Sequence, residues 1–575
     1  MSLGKHFINS VDDPVERGLK CLLRQDQSLR LIESQKVLYR TQTRPKVLLL
    51  SGGGSGHEPA HAGYVGEGIL DICVAGQIFA SPSASQVLAG LKALKSSEGV
   101  LMIVKNYTGD KLNFTLALQK AKAEGIRARA VFVGDDVSVE GNDLVGRRGL
   151  AGVVFVHKIA GALAAQGASL DEVAVMAQLV ADNIFTVGVS LDRCSVPRRE
   201  EQKSLSHEDL EYGMGIHNEP GVKREKISSL TSIVSSVLSF LKPSRSQTEL
   251  PVAILINNLG GLSILELNVI AEEATEQLLD KYQLDIRRVL VGTFVSSLDG
   301  PGFSITILNL RPGMETLLNA KSSAPAWPHQ IENASHVNGI LERTDKEDTA
   351  NVLHNEIADA LLPVEMTLLS TILQSVRSRV KDAEPAITNY DTIAGDGDCG
   401  ETLLKGANAV QKGFSKLTDT SIDLIRVFQS ISLIVEQSMG GTSGAIYAIF
   451  FSAIANALSQ NIQHKLASTS TLRFLSTALT EGLGELCKCT AARKGHKTLM
   501  DALIPFVETF EQTLDLQLAI NAADEGAEGT RKLDAVLGRA SYVSKELIEK
   551  DGGIPDPGAL GVVVVLLGIL EGLQK

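Results

Sequence analysis

The sequence has few aromatic residues, few cysteines and too little positive charge to balance its acidic residues. Aromatic residues make up 4% of the 575 positions and include one tryptophan, Trp327. Six cysteines in so long a chain form no disulfide framework, so we expect reduced thiols. With 55 Lys and Arg against 67 Asp and Glu, the net charge is -12. This balance argues against a basic face that follows nucleic acid phosphates, so no nucleic-acid partner is expected.

Long hydrophobic runs are also lacking. The best candidate, residues 558–570, is shorter than the roughly 18–20 apolar residues that cross a membrane. A longer uncharged stretch, residues 437–463, carries too many Ser, Thr, Asn and Gln residues for lipid. The first residues lack the apolar core of a signal peptide. We therefore expect no membrane partner and a cytoplasmic location.

The chain contains two regions with different hydrophobic patterns. Up to about residue 310, short β-branched runs alternate with helical stretches, which indicates α/β layering around a sheet. From about Glu356, apolar residues recur at three- and four-residue steps, which indicates helices without strands. We predict an α/β domain over residues 1–330, a linker over residues 331–355, and an all-α domain, a helical barrel, over residues 356–575.

A glycine-rich segment, SGGGSGHEPAH at residues 51–61, follows a predicted strand and precedes a predicted helix. Glycines let backbone N–H groups approach a small polar ligand. The segment lacks the Lys-Ser/Thr of a Walker loop and the third glycine of a dinucleotide loop. His57 and His61 match the H-E-x-x-H zinc pattern, but the glycines and Pro59 place His57 at a helix start. A packing role for His61 is favoured, and a zinc hydrolase that uses His57 and His61 is the alternative.

Two further stretches carry candidate polar residues. Lys105 and Asp110 follow a predicted strand, and α/β sheets bind ligands beyond the carboxyl ends of their strands. Such a pair can orient a hydroxyl and deprotonate it, although a solvated turn is an equal alternative on this evidence. His217 lies in a glycine-studded loop over residues 212–221, where an isolated histidine is more often a surface residue.

An acidic cluster opens the helical half. Asp391, Asp396 and Asp398 alternate with glycines, and such hard oxygen ligands suit Mg²⁺. This interpretation is favoured over an acidic solvent loop. Four glycine-bearing loops, at residues 391–402, 437–444, 493–501 and 551–558, would gather at one rim if the helices run up and down. A rim of this kind suits phosphates and a cation.

Taken together, the motifs closely resemble the dihydroxyacetone kinase family, in its single-chain ATP-dependent branch that includes triokinase/FMN cyclase. The matching motifs are SGGGSGHEPAHAGYVG (51–66), VKNYTGDKLNF (104–114), GIHNEPG (215–221), NNLGGLS (257–263), AGDGDCG (394–400), MGGTSG (439–444), GRASY (538–542) and PDPGA (555–559). The resemblance implies phosphorylation of dihydroxyacetone or D-glyceraldehyde by ATP with Mg²⁺, in a homodimer formed through the α/β domain. It also implies a second activity, cleavage of FAD to AMP and cyclic FMN, with Mn²⁺ or Co²⁺. A triose-binding regulator without turnover is the non-enzyme alternative.

The resemblance also implies residue roles. His217 binds the substrate carbonyl covalently, Asp110 acts as the base on the hydroxyl, and His57 assists. The remaining triose contacts are Gly54, Ser55, Gly56 and Lys105. The metal ligands are Asp391, Asp396 and Asp398. The implied nucleotide contacts are Cys399, Gly400, Glu401, Thr402, Thr442, Ser443, Thr490, Lys497, Thr498, Asp556, Pro557 and Gly558.

Four residues depart from the family pattern. Asn218 replaces a glycine after the key histidine, but asparagine tolerates a positive φ, so we expect the turn to survive. Glu401 adds a carboxylate beside the phosphates. Thr490 and His496 replace a glycine and an aspartate. The resemblance therefore implies the contacts to adenine and ribose less directly than the contacts to phosphate.

Overall fold

The computed structural model describes residues 5–8, 13–41, 45–94, 96–139, 146–199, 204–243, 250–328, 362–417, 419–465, 470–537 and 553–575. It divides into two compact units, Met1–Leu341 and Glu342–Lys575, called here the α/β unit and the helical unit. The predicted linker, residues 331–355, and the GRASY motif, residues 538–542, lie outside the described residues. The predicted linker bounds therefore remain a prediction.

The first sheet of the α/β unit has six strands. In chain order they are β1 (Leu29–Ile32), β2 (Val37–Arg40), β3 (Leu48–Ser55), β4 (Ile72–Ile78), β5 (Val100–Lys105) and β6 (Ala128–Val133). Their spatial order is β1-β2-β4-β3-β5-β6, and β3 pairs in parallel with both β4 and β5. The accompanying helices are α1 (Pro14–Gln25), α2 (Ala84–Ala93), α3 (Thr108–Ala123), α4 (Val153–Ala165) and α5 (Leu170–Ala181). The central strands are apolar on both faces because helices cover them.

The second sheet of this unit also has six strands. They are β7 (Ile184–Ser190), β8 (Asp209–Tyr212), β9 (Lys223–Lys226), β10 (Val252–Asn258), β11 (Ile286–Gly292) and β12 (Gly302–Asn309), in the order β11-β10-β12-β7-β8-β9. Three helices complete the unit: α6 (Leu230–Leu241), α7 (Ile264–Asp280) and α8 (Met314–Leu318). Buried side chains of α4 share one hydrophobic cluster with Leu49 of β3 and Leu255 of β10. The α/β prediction is confirmed.

The helix predicted after the glycine-rich segment is wrong. Strand β3 continues through Ser55, residues 57–61 form turns, and only a single 3-10 turn, Ala62–Tyr64, follows. At Gly52 the strand lies so close to β4 that a Cβ would overlap the Val74 carbonyl oxygen. Pro59 disfavours the helical conformation for the residue before it. The glycines therefore serve close strand packing and a loop.

The helical unit contains eight α-helices among its described residues. They are α9 (Met366–Ala394), α10 (Cys399–Phe414), α11 (Leu424–Ser438), α12 (Gly441–Lys465), α13 (Thr471–Cys489), α14 (Met500–Thr513), α15 (Leu516–Gly529) and α16 (Pro557–Gln574). The expectation of no strand needs one correction, because β13 (Pro363–Glu365) pairs antiparallel with β14 (Ser421–Asp423). These two strands run directly into α9 and α11. Val364 pairs with Ile422 here, in a region where the sequence analysis predicts only helices.

Two helices of this unit are long and apolar enough to cross a membrane by length and composition, Gly441–Gln460 and Pro557–Gln574. The apolar stretch noted at residues 558–570 is thus part of a longer helix. Val562, Val563 and Leu566 of α16 lie in the hydrophobic core of the unit, together with Ile454 and Leu458 of α12. Packing within the helical unit accounts for the apolar character of both helices.

Candidate active site

The glycine-rich segment, Lys105 and Asp110 meet at the carboxyl ends of two neighbouring parallel strands. Lys105 is the last residue of β5, and Asp110 lies in the first turn of α3. A Cβ built on Gly53 would lie 3.4 Å from Asp110 Oδ2, so the backbone of the glycine-rich segment faces this carboxylate. The side chains of Lys105 and Asp110 are both buried. The predicted cluster at this sheet edge therefore exists.

His217 joins this cluster from the loop between β8 and β9. Its Nε2 lies 3.0 Å from Nε2 of His57, although 160 positions separate the two residues in sequence. His57 Nδ1 lies 2.9 Å from the backbone carbonyl oxygen of Ser296. Asn218 has a φ of 65°, as expected for an asparagine that replaces a glycine at this turn. The residue predicted to capture the carbonyl thus contacts the residue predicted to assist it.

Aromatic rings surround the His217 imidazole. Tyr107 and Phe79 present their rings edge to face with it, with centroid distances of 4.8 Å and 5.1 Å. Phe79 also stacks on His57 at 5.1 Å. The rings restrict how the imidazole can turn, while the His217 side chain stays 21% exposed.

Burial governs the charges in this cluster. It lowers the pKa of His57 well below its ordinary value, and the charges of Lys105 and His217 lower it further. Burial raises the pKa of Asp110, although Lys105 opposes this, and burial lowers the pKa of Lys105 itself. Among the described residues, Asp110 Oδ1 is buried without a hydrogen-bond partner. A buried carboxylate oxygen of this kind suits a substrate hydroxyl, which would satisfy it.

The other predicted residues of this pocket have structural contacts. The hydroxyl of Ser55 donates to the Gly76 carbonyl oxygen over 2.9 Å. Side chains are excluded at Gly54 and Gly56, where a Cβ would lie 2.8 Å from the Ala80 nitrogen and 2.7 Å from the Phe79 ring. Glycine at these positions therefore allows the backbone to pack closely against Phe79 and Ala80.

His61 points to a different neighbourhood from His57. Its Nδ1 lies 2.9 Å from His157 Nε2 and 3.3 Å from the Ser51 hydroxyl, and the ring is buried. The packing interpretation of His61 is confirmed. In the part of the chain that the structure describes, the group of three side chains with metal-binding geometry lies in the helical unit instead. The zinc hydrolase alternative gains no support.

That group is formed by Asp391, Asp396 and Asp398. One carboxylate oxygen from each lies within 4.8 Å of the others. Asp391, in the last turn of α9, accepts hydrogen bonds from the backbone N–H groups of Asp398 and Cys399, at 2.9 Å and 3.0 Å. A Cβ at Gly395 would overlap Asp391 Oδ1, so the glycine leaves room for this carboxylate. Three hard oxygen donors in this arrangement fit Mg²⁺.

Four helices begin in the predicted glycine-bearing loops. Helix α10 begins at Cys399, α12 at Gly441, α14 at Met500 and α16 at Pro557. Cys399, Gly400, Glu401 and Thr402 form the first turn of α10, Thr442 and Ser443 lie in that of α12, and Pro557 and Gly558 open α16. The N-terminus of a helix attracts phosphate through its free N–H groups.

Electrostatic interactions link these helix starts. Burial raises the pKa of Tyr447, in the second turn of α12, and the charges of Cys399 and Asp556 add to this effect. Asp556 caps α16 by accepting from the Ala559 N–H over 2.8 Å. Burial, with the charges of Asp501 and Asp391, raises the pKa of Asp556 to about 7. The rim thus holds excess negative charge that a cation would neutralise.

Lys497 and Thr498 lie in the loop before α14, which adjoins the start of α16, because a Cβ at Gly558 would lie 3.3 Å from the Leu499 Cβ. Lys497 is buried and donates to the carbonyl oxygens of Thr530 and Ile554, at 2.6 Å and 2.9 Å. It therefore anchors the segment before Asp556. Thr498 donates its N–H to Asp501 over 2.8 Å. Thr490 follows the end of α13 and accepts from the Ala492 N–H at 3.1 Å.

Four residues of the cluster around His217 are not singled out by the sequence analysis. Glu219 and Tyr107 lie inside the matching motifs, so the motifs signal them indirectly. Ser296 contributes only a backbone carbonyl, for which no side-chain signal exists. Phe79 has a φ of 58°, which its sequence context does not suggest.

Comparisons with known proteins agree with the two units. A Dak1 domain model matches residues 20–326, and a DAK2 domain model matches residues 393–571. The chain is 43% identical to dihydroxyacetone kinase of Komagataella pastoris over 599 residues, which covers 98% of each. It is 36% identical to triokinase/FMN cyclase of Homo sapiens over 590 residues, which covers 99% of this chain and 100% of the relative.

Solved structures give the same result. The dihydroxyacetone kinase of C. freundii, in complex with AMP-PNP and Mg²⁺, is similar to this chain with a TM-score of 0.63 and 30% identity. The match covers 97% of this chain and 99% of that one. Both domain matches and the full-length relatives show that the chain belongs to the dihydroxyacetone kinase family.

Proposed function

We propose that this chain transfers the γ-phosphate of ATP to dihydroxyacetone or D-glyceraldehyde. The observation that carries the proposal is the contact of His217 with His57, at 3.0 Å, close to the buried side chains of Lys105 and Asp110. It supplies a nucleophile for a carbonyl and a base for a hydroxyl in one compact cluster. Full-length similarity to dihydroxyacetone kinases supports the same reaction.

In this proposal the α/β unit binds and activates the triose. His217 attacks the carbonyl carbon and forms a hemiaminal, which selects trioses with a carbonyl over glycerol. Asp110 removes the proton from the hydroxyl that accepts phosphate, and its unpartnered Oδ1 is the atom that does so. Lys105 balances the charge of Asp110 and helps to orient the substrate. Backbone groups of Gly54, Ser55 and Gly56 complete the pocket.

The helical unit would hold Mg²⁺ and ATP. Asp391, Asp396 and Asp398 would bind the ion, which neutralises phosphate charge during transfer. N–H groups at the starts of α10, α12 and α16 receive the phosphates. Phosphoryl transfer asks the protein mainly for positioning and electrostatic stabilisation, so these groups suffice without a further nucleophile.

An assay of ADP release with dihydroxyacetone, D-glyceraldehyde and glycerol tests the proposal. We expect Mg²⁺-dependent ADP release with both trioses and little with glycerol. Binding of triose without any ADP release would favour the non-catalytic regulator instead. Equal use of glycerol would remove the argument from carbonyl capture.

A second proposed activity is the cleavage of FAD to AMP and cyclic FMN, with Mn²⁺ or Co²⁺ as the ion. Similarity to triokinase/FMN cyclase supports it. The ADP-like half of FAD occupies the nucleotide loops, a ribityl hydroxyl attacks the flavin-side phosphorus, and AMP leaves. Glu401 opposes binding because it adds an anion to the first turn of α10. Chromatography of FAD incubated with Mn²⁺ and the protein tests this activity, which should persist in His217→Ala and disappear in Asp396→Ala.

We also propose that the protein is a cytoplasmic homodimer, formed through the α/β unit. The free state of all six cysteines supports a reducing compartment. Sedimentation equilibrium of the full chain tests the dimer, and a monomer at micromolar concentration would contradict it.

A further inference from the structure

The carboxylate of Glu219 contacts His217 twice. Its Oε1 lies 2.9 Å from ring Nδ1, and its Oε2 accepts the backbone N–H of the same residue over 2.9 Å. Burial raises the pKa of Glu219, but the hydrogen bonds and charge of His217 prevail and bring it down to about 2. Glu219 is therefore ionised at neutral pH, with both oxygens acting as acceptors.

The hydrogen bonds of His57 fix where the protons lie. The Ser296 carbonyl oxygen can only accept, so His57 carries its proton on Nδ1 and presents a lone pair at Nε2. The 3.0 Å contact between the two Nε2 atoms then requires a proton on His217 Nε2. Since Glu219 also accepts from Nδ1, the His217 ring donates from both nitrogens.

We propose that Glu219 is a positioning residue that retains the proton on His217 Nδ1, so that Nε2 is the nitrogen that attacks the substrate carbonyl. This inference rests on the proposed triose kinase function. A carboxylate that sets the tautomer of a catalytic imidazole has the same role in the Ser-His-Asp triad.

The proposed step balances in atoms and charge. His217 Nε2 gives its proton to His57 Nε2 and then forms a bond to the carbonyl carbon. The carbonyl π electrons move to the oxygen, which takes the proton from His57. The His217 ring is left with one positive charge, and the ionised Glu219 lies beside it. The Nδ1 proton stays in place throughout.

The surrounding loop is built to hold this carboxylate. A Cβ at Gly215 would overlap Glu219 Oε2, so only glycine leaves room for it. The Asn218 side chain accepts from the Cys194 N–H at 2.9 Å and donates to the Cys194 carbonyl oxygen at 3.0 Å. The Ser297 hydroxyl donates to the Ile216 carbonyl oxygen at 2.6 Å. These anchors hold the loop in place independently of Glu219.

The variant Glu219→Gln tests the inference because glutamine has the same shape but one acceptor and one donor. Its oxygen must accept the backbone N–H of His217, since that group is always a donor. Its NH₂ group then faces Nδ1, which becomes the acceptor, and the ring proton remains on Nε2. The nucleophilic lone pair is lost, whereas a purely structural role of Glu219 would survive this change.

We expect Glu219→Gln to raise the triose KM by about tenfold or more, with a smaller effect on kcat, because the adduct forms in the ground state. Carbon-13 NMR of dihydroxyacetone labelled at C2 should show a tetrahedral carbon with the original protein and a ketone or its hydrate with Glu219→Gln. Glu208→Gln removes the same charge from an exposed ion pair with Lys226 and should behave as the original protein.

Nitrogen-15 NMR of histidine in the original protein shows directly which ring nitrogens are protonated. This measurement does not depend on how Glu219→Gln folds. The His217 signals are those absent from the spectrum of His217→Ala. A protonated Nδ1 supports the inference, and an unprotonated Nδ1 overturns it. It is also overturned if Glu219→Gln keeps the adduct and the original KM. Absence of any adduct in the original protein, despite triose-dependent ADP release, would refute carbonyl capture and this inference together but leave the kinase reaction standing.

Discussion

At the scale of single residues, the proposed chemistry is divided between the two units. His217, His57, Lys105 and Asp110 lie in the α/β unit, and the three aspartates lie in the helical unit. Each set of side chains can therefore be disabled without touching the other. Two substitutions separate substrate capture from phosphate transfer.

The first substitution is His217→Ala. Loss of the hemiaminal should raise the triose KM more than it lowers kcat, because the adduct stabilises bound substrate before transfer. Discrimination against glycerol should fall in parallel. Steady-state kinetics with both substrates measure this, and an unchanged KM together with unchanged discrimination would contradict the assignment.

The second substitution is Asp396→Ala. Removing one of three carboxylates should abolish Mg²⁺-ATP turnover, while calorimetric titration with dihydroxyacetone should give the original affinity. If triose binding were lost as well, the two sets of residues would not be separable.

The residue scale also shows where sequence inference stops. The acidic cluster was predictable because its three members lie within eight positions and alternate with glycines. The contact between His57 and His217 was not predictable, because 160 positions separate them in sequence and they follow strands of different sheets. Family motifs named both residues but gave no distance. The ring partners Phe79 and Tyr107 are specified only by tertiary packing.

At the scale of elements, close helix contacts depend on glycine. Helix α16 packs against α9, and a Cβ at Gly568 would lie 2.5 Å from the Val376 Cα. In contrast, Gly484 of α13 has no atom within 4 Å of its ideal Cβ. The two positions make a matched pair for testing this packing.

Gly568→Ala should destabilise the helical unit by about 1–3 kcal/mol, because the added methyl group forces the helices apart. Gly484→Ala should stabilise it by about 0.5–1 kcal/mol, because alanine loses less backbone entropy in a helix. Urea unfolding of each variant measures both effects. Equal and small changes at the two sites would show that α9 and α16 are not tightly packed.

Another element-scale prediction concerns the cap of α16. The pKa of Asp556 is raised to about 7, so this carboxyl favours folding below its ordinary pKa of 3.8 and loses that contribution as the pH rises through about 7. Asparagine caps helices as well as aspartate does. Asp556→Asn should therefore raise the melting temperature of the metal-free protein at pH 8 and leave it almost unchanged near pH 3.5. An equal increase at both pH values would contradict the electrostatic cause.

Elements were predicted well where one physical signal dominated. The β-branched runs predicted strands in the α/β unit, and the three- and four-residue apolar spacing predicted the long helices. The β13–β14 pair escaped because three-residue strands carry no periodic signal. The helix predicted after the glycine-rich segment does not form. The glycines serve close strand packing, and Pro59 disfavours a helical conformation of the residue before it.

At the scale of the whole molecule, each unit has hydrophobic clusters of its own. Because these clusters are separate, we expect calorimetric unfolding to show two transitions. A ligand should stabilise only the unit that binds it. Dihydroxyacetone should raise one transition temperature, and Mg²⁺-ATP should raise the other. A single transition that both ligands shift equally would contradict independent folding of the units.

The glycine-rich wall of the proposed triose pocket also limits how substrate range can evolve. At Gly54 an added side chain meets the backbone of Phe79 and Ala80, which cannot move aside as a flexible side chain can. Substitutions on this wall should be eliminated by selection, because they disrupt the sheet before they change the shape of the pocket. Tyr107 and Phe79 contribute side-chain rings around His217, and the Phe79 ring also packs against Gly56. Enzymes that diverge from this chain toward longer or branched carbonyl substrates should therefore change at these two aromatic positions, and laboratory libraries should be directed there.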